Sequence, residues 1–234
     1  MPRQAESITH LLAQLDSADP QFQPAAPLYI HFPSAVVRAP GTHLDKDTSA
    51  ATPTFSVSAS ALSDLSLPNC DLSPCSSATS DSSTSTNPVA AQQVPKYLVV
   101  GLDLDAPFPS FPVMGPFVHG VQADLSLATD RLHPNDDFID LELSPAASVD
   151  DNRSSPVVGY MGPAPPGPSS PHRYMFMLWE QPARLTRDTI CEKLGIPATA
   201  EGEVGIVARA RWDQEAFERK LGLGKVVAGN YFVC

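Results

Sequence analysis

Tyr160-Met-Gly-Pro-Ala-Pro-Pro-Gly-Pro-Ser-Ser-Pro-His-Arg-Tyr-Met-Phe-Met-Leu-Trp-Glu-Gln181 divides into two halves of opposite character. Pro163, Pro165, Pro166, Pro168 and Pro171 fix φ or remove backbone donors, which excludes a helix and an inner strand and predicts a stiff loop. From Arg173 to Trp179 the run is aromatic and apolar with no breaker, and its length suits a buried strand. His172 and Tyr174 therefore stand where a rigid loop enters a core strand. From such a place polar side chains can be presented without first being ordered.

Outward from this stretch the chain is a series of short extended pieces. Tyr97 to Asp103 is rich in β-formers and leads into Asp103-Leu-Asp-Ala-Pro107; beyond the Pro-rich Phe108 to Pro116, Phe117 to Val121 is a short strand carrying His119. Leu28–Phe32, Val36–Val37 and Pro53–Val57 are strand candidates upstream, and Glu203–Ala210, Val226–Val227 and Tyr231–Val233 downstream. Ile8, Leu11, Leu12 and Leu15 share one face of a short helix. Arg187–Leu194 reads as a helix stopped by Gly195 and Pro197. A further helix starts at Asp213 as N-cap and buries Phe217 and Leu221, with Trp212 packed before it.

Two segments break the pattern. Residues from about 58 to 93 are Ser, Thr, Asp, Asn and Ala with few large apolar side chains, too few to offset their conformational entropy. Residues 124–155 are acidic and turn-rich, with Asp136, Asp137, Asp140 and Glu142 clustered. Both are expected to be disordered insertions. The predicted organisation is an N-terminal helix and linker over 1–27 and one mainly β domain over 28–234, with a few peripheral helices.

With 234 residues and 42% hydrophobic content the chain can bury one sizeable core, and its 25 prolines imply much loop. The net charge of −11 argues against nucleic acid, whose phosphates need clustered Lys and Arg. No apolar run reaches the length of a membrane span and the first residues lack a signal-type apolar region, so a soluble, cytoplasmic protein is expected. Cys70, Cys75, Cys191 and Cys234 have no His neighbours at zinc spacing and do not suggest a disulfide framework. Two histidines with carboxylates are also a donor set for Zn²⁺ or Fe²⁺, although lone His and Asp residues are more often hydrogen-bonded structure. A Ser-His-Asp hydrolase is disfavoured: no Gly-x-Ser-x-Gly elbow is present, and Ser169-Ser170 lie in a Pro-locked loop.

Asp103-Leu-Asp-Ala-Pro107, His119 downstream, Gly162-Pro-Ala-Pro-Pro166 with His172-Arg-Tyr174, and the closing Phe217-Glu-Arg-Lys220 to Val226-Val-Ala-Gly-Asn-Tyr-Phe232 resemble the signatures of the phosphatidylethanolamine-binding protein family. The resemblance implies a β-sandwich core with peripheral helices and a small anion pocket where the two motifs meet. Carried over residue by residue, the ligand-binding positions are Asp103, Asp105, His119, Ala164, Pro165, His172 and Tyr174. Imidazole N–H groups and a tyrosine hydroxyl donate to an anion while carboxylates orient the imidazoles. The implied partners are an anionic small molecule or lipid headgroup, with a protein partner also possible; neither cofactor nor metal ion is expected.

Three departures stand out. Leu104 replaces the family's proline, Pro168-Ser169-Ser170 stands where the family has Gly-Thr-Gly, and the matched run closes at Cys234 without the flanking C-terminal helix of many members, which implies a more open pocket. The resemblance leaves three functions in play. One is a binding module. Another is an enzyme of fungal secondary metabolism that joins maleic anhydride units, with His172 and His119 as acid/base and Tyr174 as donor. The third is a protease inhibitor or signalling regulator.

Overall fold

The computed structural model describes residues 5–17, 26–58, 94–128, 138–143 and 155–234. The first expected insertion, with Cys70 and Cys75, lies outside the described residues except for Ser58. In chain order the elements are helix α1 (Glu6–Leu15), strands β1 (Ala26–Phe32), β2 (Ala35–Val37), β3 (Thr42–His43), β4 (Thr54–Ser58), β5 (Lys96–Asp103), β6 (Phe117–Leu127), β7 (Phe138–Leu143) and β8 (Arg173–Gln181), helices α2 (Arg187–Leu194), α3 (Ile206–Arg209) and α4 (Gln214–Leu221), and strand β9 (Ala228–Val233). The protein is mainly β with a few short helices, as the sequence predicts.

The strands follow the order β2-β1-β4-β7-β6-β5-β8-β9-β3, and a short parallel pairing of β1 with β9 closes the sheet on itself. The unbroken apolar runs of β5 and β8 follow from burial on both faces. Leu98, Val100 and Leu102 with Met175, Met177 and Trp179 face outward under the helices, in a core that includes Ile8, Leu11, Ile190 and Phe217. Tyr97, Val99, Tyr174, Phe176 and Leu178 face inward against Leu28, Ile30, Phe55, Val57 and Leu141 from β1, β4 and β7. The Asp213 carboxylate caps α4 as the sequence suggests, accepting from the Ala216 amide, and Thr186 and Thr189 form a capping box on α2.

Two expectations are corrected. The acidic segment 124–155 is not an insertion throughout, because β6 runs on to Leu127 and Phe138–Leu143 forms β7 between β4 and β6. Phe-Ile-Asp-Leu-Glu-Leu alternates apolar and acidic residues, burying Ile139 and Leu141 and leaving Asp140 and Glu142 partly exposed. That alternation is a half-buried strand, and the density of charge hid it. Glu203–Ala210, expected as a strand from its β-branched residues, instead contains the single turn α3. Its apolar Ile206 and Val207 are exposed, and the buried side chain is Arg209. Among the described residues no helix is long and apolar enough to cross a membrane.

Candidate functional site

Three strand ends converge at one end of the sandwich. Asp103 closes β5, pairing with Tyr174 at the start of β8 and Phe117 at the start of β6. His172, just before β8, exchanges backbone hydrogen bonds with Cys234 at 2.8 and 3.1 Å, so β9 fixes it from the other side. Asp103 and His172 are nearly inaccessible to solvent.

Asp103 joins the two motif loops. One carboxylate oxygen accepts from the Asp105 amide at 2.8 Å; the other takes the His172 Nδ1–H, also at 2.8 Å. On the far side of the imidazole, Nε2 lies 2.9 Å from Ser169 Oγ, which is itself 2.8 Å from the Ser170 carbonyl oxygen. Counting hydrogens leaves two arrangements. If Ser169 donates to Ser170, Nε2 must carry a proton and the ring is an imidazolium; if Ser169 donates to Nε2, the ring is neutral. One proton separates the two.

His119 is held differently. Its Nδ1–H donates to the Met161 carbonyl, and its ring meets Tyr174 edge-on at 5.1 Å and Phe117 at 5.2 Å. Burial depresses its pKa, against the opposing pulls of the Met161 bond and the Asp103 charge. The neutral ring, with Nδ1–H committed, presents a lone pair at Nε2. Tyr174 stacks between His172 and Phe232, and its buried hydroxyl meets no partner within hydrogen-bond geometry. Burial and then the Asp103 charge push that hydroxyl's pKa far above its ordinary value, while the Ala164 amide pulls weakly the other way.

The predicted residues do not all arrive together. Asp103, His119, His172 and Tyr174 form the cluster. Asp105 is taken up by Arg173: one carboxylate oxygen accepts from the Arg173 amide and Nε at 2.9 and 2.8 Å, the other from Nη2 at 2.7 Å. This forked pair fixes the entry of β8. Ala164 is exposed, and the Pro165 carbonyl accepts from Lys46 Nζ at 2.8 Å.

The family model of phosphatidylethanolamine-binding proteins matches residues 64–232. The chain belongs to the phosphatidylethanolamine-binding protein family. Among its relatives, the carboxypeptidase Y inhibitor of Saccharomyces cerevisiae is 27% identical over 221 residues, 92% of this chain and 86% of that protein. Phomoidride biosynthesis cluster protein N of Talaromyces stipitatus is 32% identical over 142 residues, 59% of this chain and 58% of that protein. The fold is similar to a carboxypeptidase Y inhibitor solved in complex with its cognate proteinase, at a TM-score of 0.55, 21% identity and coverage of 97% and 91% of the two chains. It is also similar to the phosphatidylethanolamine-binding protein from Plasmodium vivax, at a TM-score of 0.54, 14% identity and coverage of 97% and 93%.

In this member of the family two residues enter the site that sequence reasoning did not place there. Ser169 was set aside because it lies in a Pro-locked loop, yet the turn closed by Ser169 N–H to the Pro166 carbonyl, 2.9 Å, carries its hydroxyl to His172. Arg209 is buried and donates to the carbonyls of Val204, Val118, His119 and Gly159, so it fixes the backbone on both sides of the His119 ring. Its charge also adds to the depression of the His119 pKa. No local motif announces a buried Arg on carbonyls.

Proposed function

We propose that the cluster of His119, His172 and Tyr174 receives the phosphate or carboxylate group of a small ligand. The observation that carries this reading is the Tyr174 hydroxyl, a buried donor with no acceptor. Such a group costs about 1–3 kcal/mol and is uncommon in native proteins, so a ligand oxygen is its natural partner. His172, oriented by Asp103, brings its Nε2 edge and the Ser169 hydroxyl to the same cluster. His119 offers a lone pair when neutral, so it accepts the proton of an acid or takes one up to become a donor. Binding therefore tightens as the pH falls.

A second reading follows from the relative named for phomoidride biosynthesis. The same groups are suited to proton transfer: His119 as base, the Asp103–His172 pair as acid/base, and Tyr174 as donor to a developing oxyanion. In that case the ligand is a carboxylate or anhydride intermediate that is condensed or cyclised rather than held. The relative named as a carboxypeptidase Y inhibitor favours a third reading, a protein partner.

One experiment separates the three. The purified protein and its His172→Ala variant are titrated by thermal shift with inorganic phosphate, phosphoethanolamine and maleate, with products read by mass spectrometry. A ligand at about 100 times its Kd adds roughly 2.7 kcal/mol to stability. Stabilisation that the variant loses, with ligand recovered unchanged, supports the receptor. New condensed masses made by the wild type alone make it an enzyme. No shift in either protein, with undiminished inhibition of carboxypeptidase Y by both, rejects the anion site.

A further inference from the structure

On the same inner face of the sheet lies a cleft of about 560 Å³. Its walls are apolar, chiefly Phe55, Val99, Leu125, Leu141, Val158 and Phe176. Volumes of roughly 300–1,000 Å³ with mainly apolar walls are those of small-molecule sites. The register places it beside the anion cluster. Asp103 pairs with Tyr174 and Phe117, and the next inward-facing row is Gly101 with Phe176 and Gly120. The polar end and the cleft are thus consecutive rows of one surface.

Gly101 explains why there is space. A Cβ on Gly101 would come within 2.7 Å of the Phe176 ring, so that ring lies flat in the room a side chain would fill. At Gly120 the Tyr160 backbone lies at ordinary contact distance, its Cα 3.4 Å from where a Cβ would stand. Glycine inside a strand commonly marks a close approach such as that at Gly101. With the Phe176 ring drawn down onto the sheet, the volume above it stays open. Glu142 and Glu201 are among the few charged residues of a lining that is otherwise mainly apolar. Such a wall suits the uncharged part of a ligand.

We propose that this cleft takes the apolar chain or ring of the molecule whose charged group sits among His119, His172 and Tyr174, a step that rests on the anion reading above. The ligand is then an amphiphilic carboxylate or phosphate with a chain of several carbons, which binds more tightly than a free inorganic anion. The chain is what gives the ligand its affinity. The charged group sets its direction.

The test is a calorimetric titration of the wild type with straight-chain carboxylates from propanoate to decanoate, and with the matching alcohols. Each buried methylene should tighten binding about fourfold until the cleft is full. Leu141→Phe, which occupies part of the cleft, should end the gain at a shorter chain while leaving propanoate unchanged. Gly101→Ala, which lifts the Phe176 ring into the cleft, should act the same way; thermal unfolding confirms that each variant is folded. His172→Ala should weaken every acid by one common factor and leave the slope intact. Acids that bind with no dependence on chain length overturn the cleft and spare the anion site. Alcohols that bind as tightly as acids, with the same slope, keep the cleft and overturn the anion site. The wild-type series alone decides between these outcomes if both cleft variants fail to fold.

Discussion

Tyr174→Phe deletes a hydroxyl that is buried without an acceptor, so it should leave the ligand-free protein at least as stable, by up to about 1 kcal/mol in urea denaturation. The same change should reduce stabilisation by phosphate or maleate, and a variant that loses stability without ligand would show that the hydroxyl has a partner after all. His119 makes a prediction about pH. Burial holds its pKa below the ordinary 6.5, so the unfolded chain takes up a proton before the folded one does. The stability this contributes is complete above about 6.5 and is lost as pH falls through the folded value. His31 is depressed by burial in the same sense and adds to the slope. Urea midpoints should therefore fall on acidification, and His119→Gln should flatten the curve in part. The Asp103–His172 pair was legible because both residues lie in motifs with a recognisable order. Ser169 was not, because its contact depends on a turn of the proline loop rather than on any nucleophile motif.

Among the elements, the junction of β5, β6, β8 and α2 rests on one buried carboxylate. Asp124, at a positive φ of 57°, accepts from Lys96 Nζ at 2.7 Å, Gln181 Nε2 at 3.0 Å and the Arg187 amide at 3.1 Å. Its own amide donates to Gln181 Oε1 at 2.8 Å. Asp124→Ala strands these donors and should cost about 2–4 kcal/mol, read as a lower urea midpoint. In the sequence this residue looked like the first acid of a loop, since composition averages a buried Asp with exposed ones. Arg209→Met should loosen the backbone around His119, lowering stability by a similar amount and allowing the ring to titrate nearer 6.5, which an NMR titration of the ring protons would follow. Elements buried on both faces, such as β5 and β8, were readable as apolar runs. β7 was obscured by its charged outer face, and α3 by β-branched residues that turn out to be exposed.

For the molecule as a whole, the short strands implied a mainly β domain and the family resemblance a sandwich, but nothing local reveals which strands meet. Closure depends on Ala26 pairing with Ala228 and Pro27 with Gly229, contacts between distant parts of the chain that no periodicity encodes. The site inherits this dependence, because β9 holds Tyr174 and Phe176 in register and Cys234 fixes His172. A truncation ending before Ala228 should leave the edges of β8 and β1 unpaired, and size-exclusion chromatography should find it aggregated rather than monomeric. Synthesis runs in one direction, so the growing polypeptide passes through the same state. The strand that carries the binding residues leaves the ribosome with one edge bare, and it stays so while two α-helices and a helical turn are made. Until Ala228 to Val233 emerge, the strand that pairs with this edge among the described residues is missing, and the nascent protein is expected to be a client for chaperones that shield exposed strand edges.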